Sequence, residues 1–322
     1  MGETGRNASI DIAKGIGISL VVLLHIPQVN ALLFFNLWGG HILVYYMPLF
    51  FMLSGIFFKP AKPWDRSIRL LIPYFFFYVA GWILEMIKTI VKHETIDWLS
   101  FFLPFTGSTL GYANPPVWFL LSLAEVTVMS YVISSKFNKM ITLIISLLIG
   151  IVGYYFGMFG ILRSYYISTS LLVLPFFMTG YLYRDRLLKP YKWYWSPMLL
   201  FTAWLIFLLG QPSVNVSQCY IPCPWLQFAV IVVLSTVGII VLSQVMERWI
   251  CSNKVFSYFG KNSLIVLCTH LMLINIPVEL GVITHNTFVG IILGFVIIML
   301  VEVPIIELIN KKCPMVIGKF KK

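Results

Sequence analysis

Apolar stretches of about 20 residues, the length that crosses a bilayer as a helix, alternate with short polar connectors from residue 10 almost to residue 308. Setting each stretch against its connectors predicts spans over 10–29, 42–58, 68–87, 116–133, 140–159, 167–183, 196–210, 225–245, 259–280 and 287–308. No polar block large enough for a second domain interrupts them, so residues 1–322 read as one transmembrane domain. The fold class is all-α: a polytopic membrane protein of about ten helices. An even number of spans puts both termini on one side.

The first stretch holds Asp11 and Lys14, and no small-residue cleavage site follows it. Its helix is therefore expected to be retained rather than removed as a signal peptide.

Composition turns this pattern into an exclusion. The chain is 59% hydrophobic and 11% charged, against roughly 45–50% and about 25% in soluble domains. A formal charge of +11 suggests a nucleic-acid partner until the cations are placed. With a cytoplasmic N-terminus, 20 of the 23 Lys and Arg fall on inner segments, and only Lys88, Lys92 and Arg163 fall outside. That split follows the positive-inside rule, and one span more or fewer would scramble it. The basic charge is thus accounted for by topology beside a lipid bilayer, and no nucleic-acid partner is expected.

Of five cysteines, only Cys219 and Cys223 lie close together, in the polar connector QPSVNVSQCYIPCPW. Two unpaired thiols or a bridge in an oxidising compartment both fit this spacing. No metal-ligand spacing occurs, and no metal is expected. The longest connector, about 88–115, carries His93, Asp97 and GYANPP; it is a cover for the outer mouth of a cavity or a plain linker. There is no repeat of 20–50 residues and no pair of matching interrupted helices, which weighs against a transporter.

Ionisable groups at membrane depth are costly and usually face the bundle interior. Here they are His25, Glu125, His270 and Glu302, with Glu85 and Glu279 nearer the outer surface. On the first helix, Lys14 and His25 are 11 residues apart, hence about 20° apart around the axis and about 16 Å along it. Asp11 is about 40° from His25 and shares that face. A cation at the inner mouth and a base at depth suit a coenzyme A thioester, whose pantetheine arm spans a comparable distance. An imidazole can take a hydroxyl proton near neutrality and release it again; alternatively, His25 is a packing histidine.

The segment KPAKPWDRSIRLLIPY places Lys59, Lys62, Arg66 and Arg69 within 11 positions. Arg66 and Arg69, at i and i+3, are expected on one helix face, where two guanidinium forks would grip phosphates. Topology and anionic lipid explain the same charges. Glu125, in NPPVWFLLSLAEV, lies about ten residues below the outer end of its helix. It either orients His25 as a carboxylate orients a catalytic imidazole or is hydrogen-bonded elsewhere. His270, after the helix start FGKNSL, is expected to tie two helices together.

Six strings in order resemble the membrane acyltransferases of family 3, and especially the fucose 4-O-acetylase-like branch. They are RNASIDIAKGIGISLVVLLH, MPLFFMLSGIFFK, RSIR, PVWFLLSLAEV, LPFFMTGYLYR and FGKNSLIVLCTH. The resemblance implies an acyl donor, usually acetyl-CoA, entering from the cytoplasm. The acceptor it implies is a sugar hydroxyl of a surface glycan or lipid-linked precursor, at a bacterial inner (plasma) membrane. Motif match places the catalytic histidine on His25 and the cofactor-binding pair on Arg66 and Arg69. Lys14 joins them as a third cation, and Asp11, Trp118 and His270 are further candidates.

Two positions depart from the family. Tyr46 stands before MPLFF where relatives often have His, and Lys14 stands where many have Arg. Some members carry an added extracytoplasmic hydrolase-like domain; this chain reaches a basic tail at Lys322 instead, so the membrane unit is expected to complete the transfer alone. In the expected mechanism the three cations hold the coenzyme A phosphates while His25 acts as general base, or less favourably as an acyl-imidazole. The rival function is a transporter or exporter of a glycan or small solute, and a third is a non-catalytic scaffold. A homo-oligomer is compatible with each.

Overall fold

The computed structural model describes residues 7–26, 29, 33–61, 63–99, 101–102, 114–249, 253–279 and 288–320. Among these the chain is all-α, with one isolated antiparallel bridge between Asn215 and Tyr220. The helices are α1 (Ala8–His25), α2 (Leu33–Ile56), α3 (Pro63–Val91), α4 (Trp118–Lys136), α5 (Lys139–Met158) and α6 (Ile167–Leu182). After them come α7 (Arg184–Leu187), α8 (Trp195–Leu208), α9 (Trp225–Trp249), α10 (Asn253–Lys261), α11 (Ser263–Glu279) and α12 (Phe288–Lys312).

Each of the ten predicted stretches overlies a helix, but among the described residues only eight spans are long and apolar enough to cross a membrane. The two that fall short are α8 and α11; 14 residues of α8 rise about 21 Å, against a hydrocarbon core about 30 Å thick. The stretch 259–280 is also not one helix. It breaks at Asn262, whose carbonyl takes the first amides of α11, and its leading residues belong to the separate helix α10.

Local chemistry starts the helices where they start. Asn7 caps α1 by accepting the Ile10 amide at 3.2 Å, and Asn138 caps α5 by accepting that of Ile141 at 3.0 Å. Pro48, Pro73, Pro175 and Pro304 lie inside helices, as neighbouring helices permit in a membrane bundle.

The core forms around α2 and α6, whose spans are 72% and 67% buried, whereas α3 and α5 are at 28% and turn most of their aliphatic surface outward. Close approach at the centre depends on reciprocal glycines. A Cβ on Gly55 would strike the Phe177 carbonyl, and one on Gly180 the Met52 carbonyl, so α2 and α6 cross backbone to backbone. The same device joins α1 to α10, where Gly15 faces the Phe256 carbonyl and Gly260 that of Asp11. Small residues serve this purpose in membrane helices because dispersion contacts, rather than the hydrophobic effect, hold them together.

These crossings give the bundle two chemically distinct ends. At one, the start of α1, the end of α2, the start of α3 and the α10–α11 turn come together with the 3-10 turn Pro314–Ile317. This is the basic end. At the other, the end of α1 and the start of α4 meet the connector between α8 and α9.

Candidate functional site

His25 is the last residue of α1 and opens into a cavity of about 430 Å³ at the end remote from the cations. Its Nδ1 lies 2.8 Å from the Val21 carbonyl. A carbonyl only accepts, so Nδ1 carries the ring proton and Nε2 keeps the lone pair. That is the tautomer a general base requires. Tyr46 and Trp118 line the cavity beside it, with Leu267 of α11 and residues 213–218 of the α8–α9 connector.

His270 is fully buried, and its ring centroid lies 5.0 Å from that of His25 at an interplanar angle of 75°. Its Nδ1 is likewise turned back on its own helix, 2.7 Å from the Val266 carbonyl, while Nε2 is buried with no protein partner. The expected helix tie is made instead by its neighbour Thr269, whose Oγ1 lies 2.8 and 2.9 Å from the two carboxyl oxygens of buried Glu302 on α12. The structure therefore pairs the two histidines, a relationship hidden in sequence because it depends on the register of α1 against α11. Another histidine not singled out in the sequence, His41, is buried on α2 with Nε2 3.2 Å from Ser235 Oγ. Its ring packs against Tyr45 and Phe207, which makes it a packing residue.

At the basic end, Lys14 and Arg66 meet at Phe57. Lys14 Nζ lies 5.3 Å from the centre of the Phe57 ring. Arg66 donates at 3.2 Å from Nη1 to the Phe57 carbonyl and at 3.2 Å from Nη2 to that of Ser54. The expected pairing of Arg66 with Arg69 on one face is only partly realised. Arg66 is half-buried and caps the C-terminus of α2, adding to the Phe57 amide that the Ser54 carbonyl already accepts; Arg69 is exposed, and its backbone carbonyl packs against Gly318. Gly318 sits at φ +69°, a left-handed turn that glycine adopts without strain. Asp11 is buried with its carbonyl against Gly260, facing α10. Lys62 lies outside the described residues.

Glu125 does not reach His25. Its carboxyl group is hydrogen-bonded to Ser170 of α6, which in turn lies 2.7 Å from Ser122. The carbonyl next to it, that of Ala124, accepts from Ser67 Oγ at 3.1 Å, one turn into α3. Trp118, which lines the cavity, is seven residues away, or about 10 Å up the helix. Glu125 thus lies below the cavity toward the basic end, and orientation of His25 falls to the Val21 carbonyl.

The connector over the cavity is firmly held. Asn215 and Tyr220 exchange two backbone hydrogen bonds of 2.9 Å, and Thr169 donates to the carbonyls of Val216 and Ser217. Cys219 Sγ reaches the Gly153 carbonyl at 3.4 Å, and Tyr154 donates to that of Cys223 at 3.0 Å. Both cysteines are free, and burial pushes both thiols up to about 11. Of the connector at 88–115, Trp98 and Phe101 pack on Trp82 of α3, and Pro115 and Pro116 join the cavity wall. Residues 103–113 are outside the described set.

A family model described as an acyltransferase domain matches residues 7–307, nearly the whole chain. The chain belongs to the membrane acyltransferase family 3. Neither a curated protein nor a solved structure matches it significantly. Within this acyltransferase, Lys14 and His25 both lie on α1 and Arg66 lies near the start of α3, with Lys14 and Arg66 meeting at Phe57. No group of three or more His, Cys, Asp or Glu that could hold a metal ion occurs among the described residues.

Proposed function

We propose that this acyltransferase carries an acyl group, most simply acetyl, from coenzyme A to a hydroxyl of a surface-glycan or lipid-linked sugar. The observation that carries the proposal is the geometry of α1: Lys14 joins Arg66 at Phe57, and His25 opens into the cavity 11 residues further along. Eleven residues correspond to about 16 Å of helix, a span suited to the pantetheine arm. The nucleotide phosphates then lie against Lys14, Arg66 and exposed Arg69 at the cytoplasmic face of a bacterial inner membrane.

The acceptor hydroxyl meets His25 Nε2, which takes its proton as the oxygen attacks the thioester carbonyl. As the tetrahedral intermediate collapses, the carbon–sulfur bond breaks. The departing thiolate receives the proton from His25, leaving an ester, free coenzyme A thiol and the original imidazole. No protein acyl intermediate is needed, and acyl-CoA acts as substrate rather than as a resident cofactor.

The test is transfer of labelled acetyl from acetyl-CoA to glycan by purified protein. His25→Ala is expected to lose about 10²–10⁴-fold in rate, the usual worth of a general base. Retention of the parent rate would exclude His25 from catalysis.

A further inference from the structure

We infer that residues 213–218, with Trp118 and Tyr46, form the acceptor subsite, and that the group bound there is a neutral polyhydroxylated ring. The inference rests on the acyl-transfer reading of His25.

The cavity has two unlike walls. Trp118, Tyr46 and Met47 line it with aromatic and apolar surface, and Ser213, Asn215, Ser217 and Gln218 supply a polar edge. The polar edge comes from a two-residue alternation. Pro212, Val214 and Val216 are buried while Ser213 and Asn215 are exposed, as expected for extended chain with one face packed. The Oδ1 of Asn215 accepts from Ser217 Oγ at 2.7 Å and from the Gln218 amide at 3.3 Å. Its amide N–H groups are the donors left for a ligand.

A sugar ring has the matching anatomy, with C–H faces that lie on an indole and a rim of hydroxyls that both donate and accept. Trp118 is held for this role between Phe51, Phe119 and Tyr166. Among the described lining residues there is no Lys, Arg, Asp or Glu, so a phosphate or carboxylate would meet no fixed positive charge. A long-chain alcohol would leave the polar edge unpaired. The volume of about 430 Å³ lies within the usual range of small-molecule sites, roughly 300–1,000 Å³. The connector is braced against α5 and α6 before any ligand arrives, so its polar edge is preorganised.

The experiment uses the full chain in detergent or nanodiscs with acetyl-CoA, offering methyl glucoside, methyl fucoside, glucose 6-phosphate and octanol as acceptor probes. Acetyl esters are expected on at least one methyl glycoside and neither on octanol nor on the sugar phosphate. Asn215→Asp keeps the bracing Oδ1 but removes the donors, and Ser213→Ala removes a hydroxyl at an exposed position. Each is expected to raise the glycoside KM about three- to tenfold while the acetyl-CoA KM stays within about twofold. An active enzyme whose glycoside KM is unmoved in both variants, or which prefers octanol, overturns the subsite and leaves acyl transfer standing. Absence of acetyl-CoA binding and of thioester cleavage with every acceptor overturns the acyl-transfer reading instead.

Discussion

The His25 and His270 rings meet edge to face, 5.0 Å apart, each with Nδ1 anchored to a carbonyl one turn back on its own helix. When His25 takes the acceptor proton it becomes a cation 5.0 Å from the His270 ring; a cation over the face of an aromatic ring gains about 0.5–2 kcal/mol. That corresponds to a rate factor of about 2–30. His270→Ala is expected to lower kcat about tenfold without changing the KM for acetyl-CoA. His270→Phe keeps the ring and is expected to stay within about threefold of the parent, with a Tm no lower because a buried Nε2 without a partner has been removed. Steady-state kinetics on both variants decide the point: if His270→Phe is as impaired as His270→Ala, the ring nitrogen is what matters.

The two arginines of the RSIR motif should separate in the same assays. Arg66 holds the carbonyls of Ser54 and Phe57, and Arg69 is exposed. Arg66→Ala is expected to weaken acetyl-CoA binding and also to lower the Tm, because half-buried carbonyls lose charged donors at a cost of about 1–3 kcal/mol. Arg69→Ala is expected to weaken binding with the Tm unchanged. Thermal shift alongside acetyl-CoA titration checks both, and a Tm loss in Arg69→Ala but not Arg66→Ala would contradict the capping geometry.

How much of this can be read from the chain alone follows from the range of each interaction. A 20-residue apolar run has few alternatives in a membrane, so all ten stretches overlie helices, and the spacing of Lys14 and His25 is one-helix arithmetic. Relations between helices are set by close crossings such as Gly15 on Phe256 and Gly260 on Asp11, whose partners are distant in sequence. Hence Glu125 finds Ser170 rather than His25, and His270 finds His25 rather than a structural partner. The short α8 and the break at Asn262 are hidden for a different reason: hydropathy registers an apolar run but not the turn that divides or shortens it. The polar edge over the cavity had a visible signal, the alternation in SVNVS, which a search for metal or disulfide spacing in that connector passes over.

The anchor of that connector gives the remaining test. Cys219 packs against α5 where a Cβ on Gly157 would collide with its backbone carbonyl, and its Sγ lies against the Gly153 carbonyl. Burial raises the thiols of Cys219 and Cys223 to about 11. The folded state therefore holds these protons more tightly than the unfolded chain, whose thiols titrate near the ordinary value of about 8.5. Below that pH neither state releases the protons and stability does not change on this account; above it stability falls progressively until the folded thiols also ionise. At pH 7.5 maleimide labelling, mapped by mass spectrometry, is expected to modify exposed Cys313 at least tenfold faster than Cys219 or Cys223, because the thiolate is the reactive form. Gly157→Leu should dislodge the connector, speed labelling of Cys219 and raise the glycoside KM, since the polar edge of the cavity moves with it. Labelling of Cys219 as fast as that of Cys313 in the parent protein would show that the connector is not docked on α5, and the cavity beside His25 would then lack its polar wall.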